Sequence, residues 1–125
     1  MAKSARGPSS SWQVTNRRRV RVYTVLWEFL VPPERRAAFE AAYDADGPWT
    51  ELFARATGFV GIELLHSTEQ EGRYLTVDRW RTRADFLAFR RDHGAEYETL
   101  DRRLDGLAEI ETRIGAFDSD RGSSA

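Results

Sequence analysis

Cysteine is absent from the 125 residues, which removes disulfides, thiolate metal sites, a redox dithiol and a cysteine nucleophile at once. Histidine is scarce. His66 and His93 stand 27 residues apart, in neither the H-x-x-x-H nor the H-E-x-x-H spacing that sets metal ligands on one helical face, so no metal is expected. No glycine-rich phosphate loop follows a strand, because Gly58-Phe59-Val60-Gly61 opens a strand instead of a helix. Flavin and nicotinamide are therefore not expected, and no cofactor is implied. A G-x-S-x-G nucleophile elbow is also missing. No apolar run approaches the roughly 18 residues of a membrane span, and the longest candidate, Val22 to Val31, is interrupted by Glu28. These absences leave the expectation of a soluble, cytoplasmic, single-domain protein with no membrane partner.

Charge is nearly balanced at −1 but unevenly placed. The first 21 residues hold six of the 19 Lys and Arg and no acid, while the remainder carries 13 basic against 20 acidic residues. A basic arm on an acidic body could touch phosphate, yet the body would repel it, so a nucleic-acid partner is not expected. Residues 1–19 and 118–125 are rich in Ser, Gly, Arg and Asp and poor in apolar side chains, and are read as a flexible arm and a flexible tail around a domain spanning residues 20–117.

Within that domain the periodicity is clear. Val22 to Phe29 alternates as a strand, and Pro32-Pro33 ends it. Phe39, Ala42 and Tyr43 share a helical face; Gly47-Pro48 breaks that helix and a short second one starts near Trp49, with Leu52, Phe53 and Ala56 on one side. Phe59 to His66 and Arg73 to Trp80 read as a hairpin joined by the polar turn Ser67 to Gly72. Thr82 followed by Asp85 is a variant capping box. It precedes a stripe of Phe86, Phe89, His93, Tyr97, Leu100, Leu104 and Leu107 that Gly94 should bend or split. A last strand covers Glu109 to Phe117. The order is βα(α)ββα(α)β.

Sorting the strands by parity predicts a helix-covered face bearing Tyr23, Val25, Trp27, Phe29, Val60, Ile62, Leu64, His66, Leu75, Val77, Ile110 and Ile114. The opposite face would bear Thr24, Leu26, Phe59, Leu65, Thr76, Glu111 and Phe117 with a polar cluster of Glu28, Glu63, Tyr74, Asp78, Trp80 and Arg113. That second face is too aromatic for water and too acidic for a dry core, so a homodimer is expected to cover it.

The strand end Asp78-Arg79-Trp80, the following Phe86 and Phe89, the first strand ending Trp27-Glu28-Phe29 and the strand Gly58 to Glu63 resemble the antibiotic biosynthesis monooxygenase superfamily. The resemblance covers about Arg21 to Phe117 and implies a ferredoxin-like α+β fold, with a four-stranded antiparallel sheet in the order β4-β1-β3-β2. In that superfamily the sheets of two subunits close a dimeric barrel. Its members include cofactor-free oxygenases of polyketide quinols and haem degraders. The haem-degrading branch uses an Asn on the first strand, a Trp ending the third and a His on the following helix. Trp80 and His93 match two of these, but the first strand contains no Asn.

The remaining candidate for chemistry is an aromatic pocket formed by Trp27, Tyr43, Trp49, Phe53, Phe86, Phe89, His93 and Tyr97. Such walls suit a flat hydrophobic molecule. A cofactor-independent monooxygenase of phenolic or polyketide-type compounds needs a base, an oxyanion holder and a dry cavity, roles assigned here to His66, Arg79 and the aromatic walls. Two other readings fit the same residues: a non-catalytic dimeric module binding a small hydrophobic metabolite, and an isomerase or lyase on the same scaffold. Glu28, Glu63 and Asp78 would lie on neighbouring strands, where crowding would raise at least one carboxyl pKa.

Overall fold

The computed structural model describes residues 20–121; the basic arm over residues 1–19 and residues 122–125 lie outside the described residues. Strands β1 (Val20–Leu30), β2 (Phe59–His66), β3 (Arg73–Trp80) and β4 (Ile110–Arg121) form one antiparallel sheet in the order β2-β3-β1-β4. Helices α1 (Arg36–Tyr43), α2 (Pro48–Phe53), α3 (Arg83–Asp92) and α4 (Gly94–Leu104) supply the second layer, a 3-10 turn over Pro33–Arg35 leading into α1. This is the ferredoxin-like α+β fold expected from the strand order. Among the described residues no helix is long and apolar enough to cross a membrane.

Local chemistry sets the element ends. Pro48 occupies the first turn of α2, where its missing N–H costs no hydrogen bond. The Thr82 hydroxyl accepts the Asp85 backbone N–H at 3.0 Å and caps α3. Helices α3 and α4 part at His93, whose backbone N–H still bonds to Phe89 O. Leu107 lies beyond α4, which stops at Leu104. Gly72 closes the β2–β3 turn at φ +82°, and a Cβ there would stand 2.6 Å from the Val31 carbonyl oxygen, so glycine is required twice over. Strand β4 runs past Phe117 to Arg121, so residues 118–121 are paired strand and not tail. Their order comes from backbone pairing with β1, aided by the Arg21–Asp120 ion pair at 3.1 Å, which apolar content alone does not reveal.

The register corrects the sorting of faces. Residues opposite one another in an antiparallel ladder share a face. Tyr23 lies opposite Trp80, Val25 opposite Asp78, Trp27 opposite Thr76 and Phe29 opposite Tyr74. Tyr74, Thr76, Asp78 and Trp80 therefore face the helices with the apolar side of β1, while Leu75, Val77 and Arg79 face away. β3 carries large apolar groups at both parities, so alternation alone does not set its side. Volume decides it: Trp80 is fully buried among Phe53, Phe59, Phe86 and Phe89, at ring-centroid distances of 5.2–5.8 Å. Phe59 thus belongs to the helix side as well. Ile110, opposite Leu30, lies on the open face, and Val60 and Ile114 are about half exposed at irregularities of β2 and β4. Glu111 and Arg113, opposite Phe29 and Trp27, fall on the helix side near the β4 bulge.

Candidate active site

Asp78 is the one carboxylate that β3 turns toward the helices, between Val25 of β1 and Ile62 of β2. Above it, α2 brings Trp49 and Phe53, α4 brings Tyr97 and, one turn on, Asp101, and Tyr43 ends α1. Trp27 and Phe29 of β1, Thr76 of β3 and Glu111 of β4 complete an open-mouthed pocket of about 530 Å³, mouth included. In its wall, Trp49 has ring centroids 5.1 Å from Tyr97, 5.7 Å from Phe53 and 6.1 Å from Tyr43. These tilted rings hold each other in place, so the walls are largely formed without a ligand.

The electrostatics follow from burial without countercharge. Desolvation pushes the Asp78 carboxyl up from 3.8 to about 7, and among the described residues it has no hydrogen-bond or ion-pair partner to offset this. Burial likewise raises the Tyr43 phenol; the nearby Trp49 N–H opposes the rise, while Glu111 and Asp101 add to it. Tyr97 is raised first by burial and then by Asp101, Asp78 and Glu111, against the pull of Arg90, whose guanidinium carbon lies 4.1 Å from its ring centroid. Glu111 is raised by desolvation and by the charges of Asp101 and Asp105. The Trp49 Nε1 is buried and makes no hydrogen bond of good geometry. The pocket thus joins a carboxyl poised near neutral pH to aromatic walls that carry two phenols, Tyr43 and Tyr97.

Of the expected pocket residues, the structure gathers Trp27, Tyr43, Trp49, Phe53 and Tyr97. Phe86 and Phe89 pack behind them against Trp80, and His93 stacks on Phe89 at 5.5 Å, outside the lining. His66, at the end of β2, is exposed, edge-on to Tyr74 and 3.8 Å from Glu40. Arg79 stands on the open face, 3.0 Å from Glu63, instead of on the helix side. The expected six-residue cluster is divided: Glu28 pairs with Arg73 and Glu63 with Arg79 on the open face, while Tyr74, Asp78 and Trp80 lie on the other. Tyr74 spends its hydroxyl on Glu40, at 2.6 Å. Among the described residues no group of three His, Asp or Glu is placed to hold a metal ion. Phe29, Ile62, Thr76, Asp78, Asp101 and Glu111 line the pocket without being among the expected lining residues; the i, i+4 spacing of Tyr97 and Asp101 is the available signal for one of them.

A ferredoxin-like sheet with an aromatic pocket beneath its helices places the chain among small α+β domains of two layers. The sequence profile of antibiotic biosynthesis monooxygenases matches residues 22–96, and the chain belongs to that family. Its fold is shared with a protein from Bordetella bronchiseptica named for the same family, at 23% identity and TM-score 0.54, over 80% of this chain and 94% of that one. It is also shared with SnoaB, a cofactor-independent oxygenase from Streptomyces nogalater, at 20% identity and TM-score 0.53, over 85% and 99% of the two chains. A Shewanella oneidensis protein aligns at 16% identity and TM-score 0.58, over 82% and 94%. Among curated proteins, none matches the chain in sequence.

Proposed function

We propose that the chain is a homodimeric, cofactor-independent oxygenase of phenolic or related weakly acidic aromatic compounds, with Asp78 as its base. The observation that carries this reading is the desolvated, unpartnered Asp78 carboxyl, raised to about 7, inside an aromatic pocket. A base of that pKa is half ionised at neutral pH and takes the proton of a phenol or of an activated ring carbon. The electron-rich anion then reduces O2. At a ring methylene the balance is simple: both hydrogens leave the carbon, one oxygen atom becomes the new carbonyl and the other leaves as water. Family membership and the shared fold with SnoaB support the reaction class.

The test is incubation of metal-free protein with anthrones and dihydroxynaphthalenes, following O2 uptake and quinone formation. Stoichiometric uptake is expected, retained within about threefold in His66→Ala and Arg79→Ala, since neither side chain reaches the pocket. Turnover without O2 would replace oxygenation with isomerase or lyase chemistry, and no turnover with any compound would leave the binding-module reading.

The homodimer rests on the open sheet face. It carries Leu65, Ile110 and Phe117 exposed, with Phe117 half accessible, beside the paired charges of Glu28–Arg73 and Glu63–Arg79. Apolar groups flanked by internally neutralised charges suit burial against an identical surface. Phe117→Glu should weaken association roughly 30-fold or more, read by light scattering across a dilution series. A wild-type monomer at all concentrations would remove the dimer from the proposal.

A further inference from the structure

We infer that the substrate of this pocket carries a positive charge and is an aromatic compound bearing a protonated amine. This rests on taking the pocket as the substrate site, and names the substrate class for it. Three carboxylates line the pocket, Asp78 at its floor and Asp101 and Glu111 from α4 and β4, while no Lys, Arg or His does. None of the three has an ion-pair partner among the described residues, although most other acids of the sheet do: Glu28, Glu63 and Asp120 each hold an arginine. The two cations nearest by register and ring contact, Arg113 opposite Trp27 and Arg90 over Tyr97, stay outside the lining.

Like charges without a countercharge repel an anionic ligand and attract a cation, and aromatic faces reinforce the choice. Trp27, Tyr43, Trp49 and Tyr97 offer ring faces around the same space, the surroundings in which organic ammonium groups are held by cation–π attraction. A ring held between these walls, with its acidic oxygen toward Asp78 and its ammonium toward Asp101 and Glu111, meets both the aromatic faces and the charges. The arrangement also supplies what oxygenation needs and the lining lacks. Once Asp78 takes the proton, the substrate's own ammonium provides the countercharge to its oxyanion.

The test is calorimetric binding in oxygen-free buffer of three matched one-ring phenols: tyramine, 4-propylphenol and 3-(4-hydroxyphenyl)propanoate. Tyramine is expected to bind about tenfold or more tighter than 4-propylphenol, with the carboxylate weakest, and the advantage should shrink as salt rises. In the Asp101→Asn, Glu111→Gln double variant, both exposed positions where isosteric amides preserve the fold, the advantage should fall below about threefold. Equal affinity for the neutral phenol, tighter binding of the carboxylate, an unchanged advantage in the double variant, or no binding of all three overturns the inference. Because no O2 is present, its failure is separate from that of the oxygenase reading, which would show as absent O2 uptake.

Discussion

Asp78→Asn is expected to lower turnover by a factor of about 100 to 10,000, the range over which a positioned base contributes, while making the protein more stable in alkaline buffer. The first effect follows from removing the most strongly desolvated carboxylate in the pocket. An amide keeps the shape and cannot take a proton. The wild-type rate should rise with pH through a step near 7, where the carboxyl ionises, and that step should vanish in the variant. The stability effect has the opposite sign. A carboxyl with a folded pKa above its unfolded one binds more protons folded than unfolded between 3.8 and about 7, so stability falls as pH rises through that window. Ionising Asp78 in the fold costs on the order of a few kcal/mol, which asparagine does not incur. Thermal unfolding should therefore show wild type and variant similar at pH 4 and the variant melting roughly 5 °C or more higher at pH 8.5. A gain in stability coupled to loss of rate is the mark of a site held in an unfavourable charge state for its chemistry. If the variant keeps its rate and pH profile, Asp78 is not the base; if the stability difference is independent of pH, burial does not raise its pKa.

Most of the fold was legible because its signals are local. Alternation marks β1, the Ser67–Gly72 turn lies between two apolar runs, Thr82 and Asp85 announce α3, and Gly94 divides the final helical stripe as expected. The side of the sheet that β3 presents was not legible, because Leu75 and Val77 are as apolar as their neighbours Tyr74 and Trp80. A sheet packed on both faces removes the polar parity that would fix orientation. That single ambiguity placed Asp78 among the dimer-face acids and Arg79 near the pocket, and so exchanged the residues available for chemistry. A usable clue was present: Trp80 is the largest side chain of the strand, shares parity with Asp78, and precedes the Phe86 and Phe89 that cover it. Glu111 carried no such mark, and Asp101 only its i, i+4 spacing from Tyr97. Each reads locally as a solvated acid, and only the approach of α4 to the end of β4 makes them pocket residues.

Trp80→Ala should cost about 3–5 kcal/mol of folding stability, the range for an aromatic removed from a core, against roughly 5–15 kcal/mol for a whole domain. Trp80 is entirely buried and meets four rings drawn from α2, β2 and α3, so its loss opens a cavity where three elements converge. Neighbouring rings fixed by their own stacking have little freedom to collapse into that space. Trp80→Phe separates packing from polarity. It keeps an aromatic ring among the same partners and removes the indole Nε1, which is buried without a hydrogen-bond partner, so part of the lost volume is offset by a removed desolvation penalty. The phenylalanine variant should therefore lose no more than about 2 kcal/mol. Denaturant unfolding of both variants, with their size in solution measured in parallel, gives a direct reading of the face that Trp80 occupies. A helix-side tryptophan shifts the unfolding midpoint and leaves the association of folded protein unchanged. A tryptophan on the open face would do the reverse, and Asp78, two residues before it on the same side of β3, would leave the pocket with it.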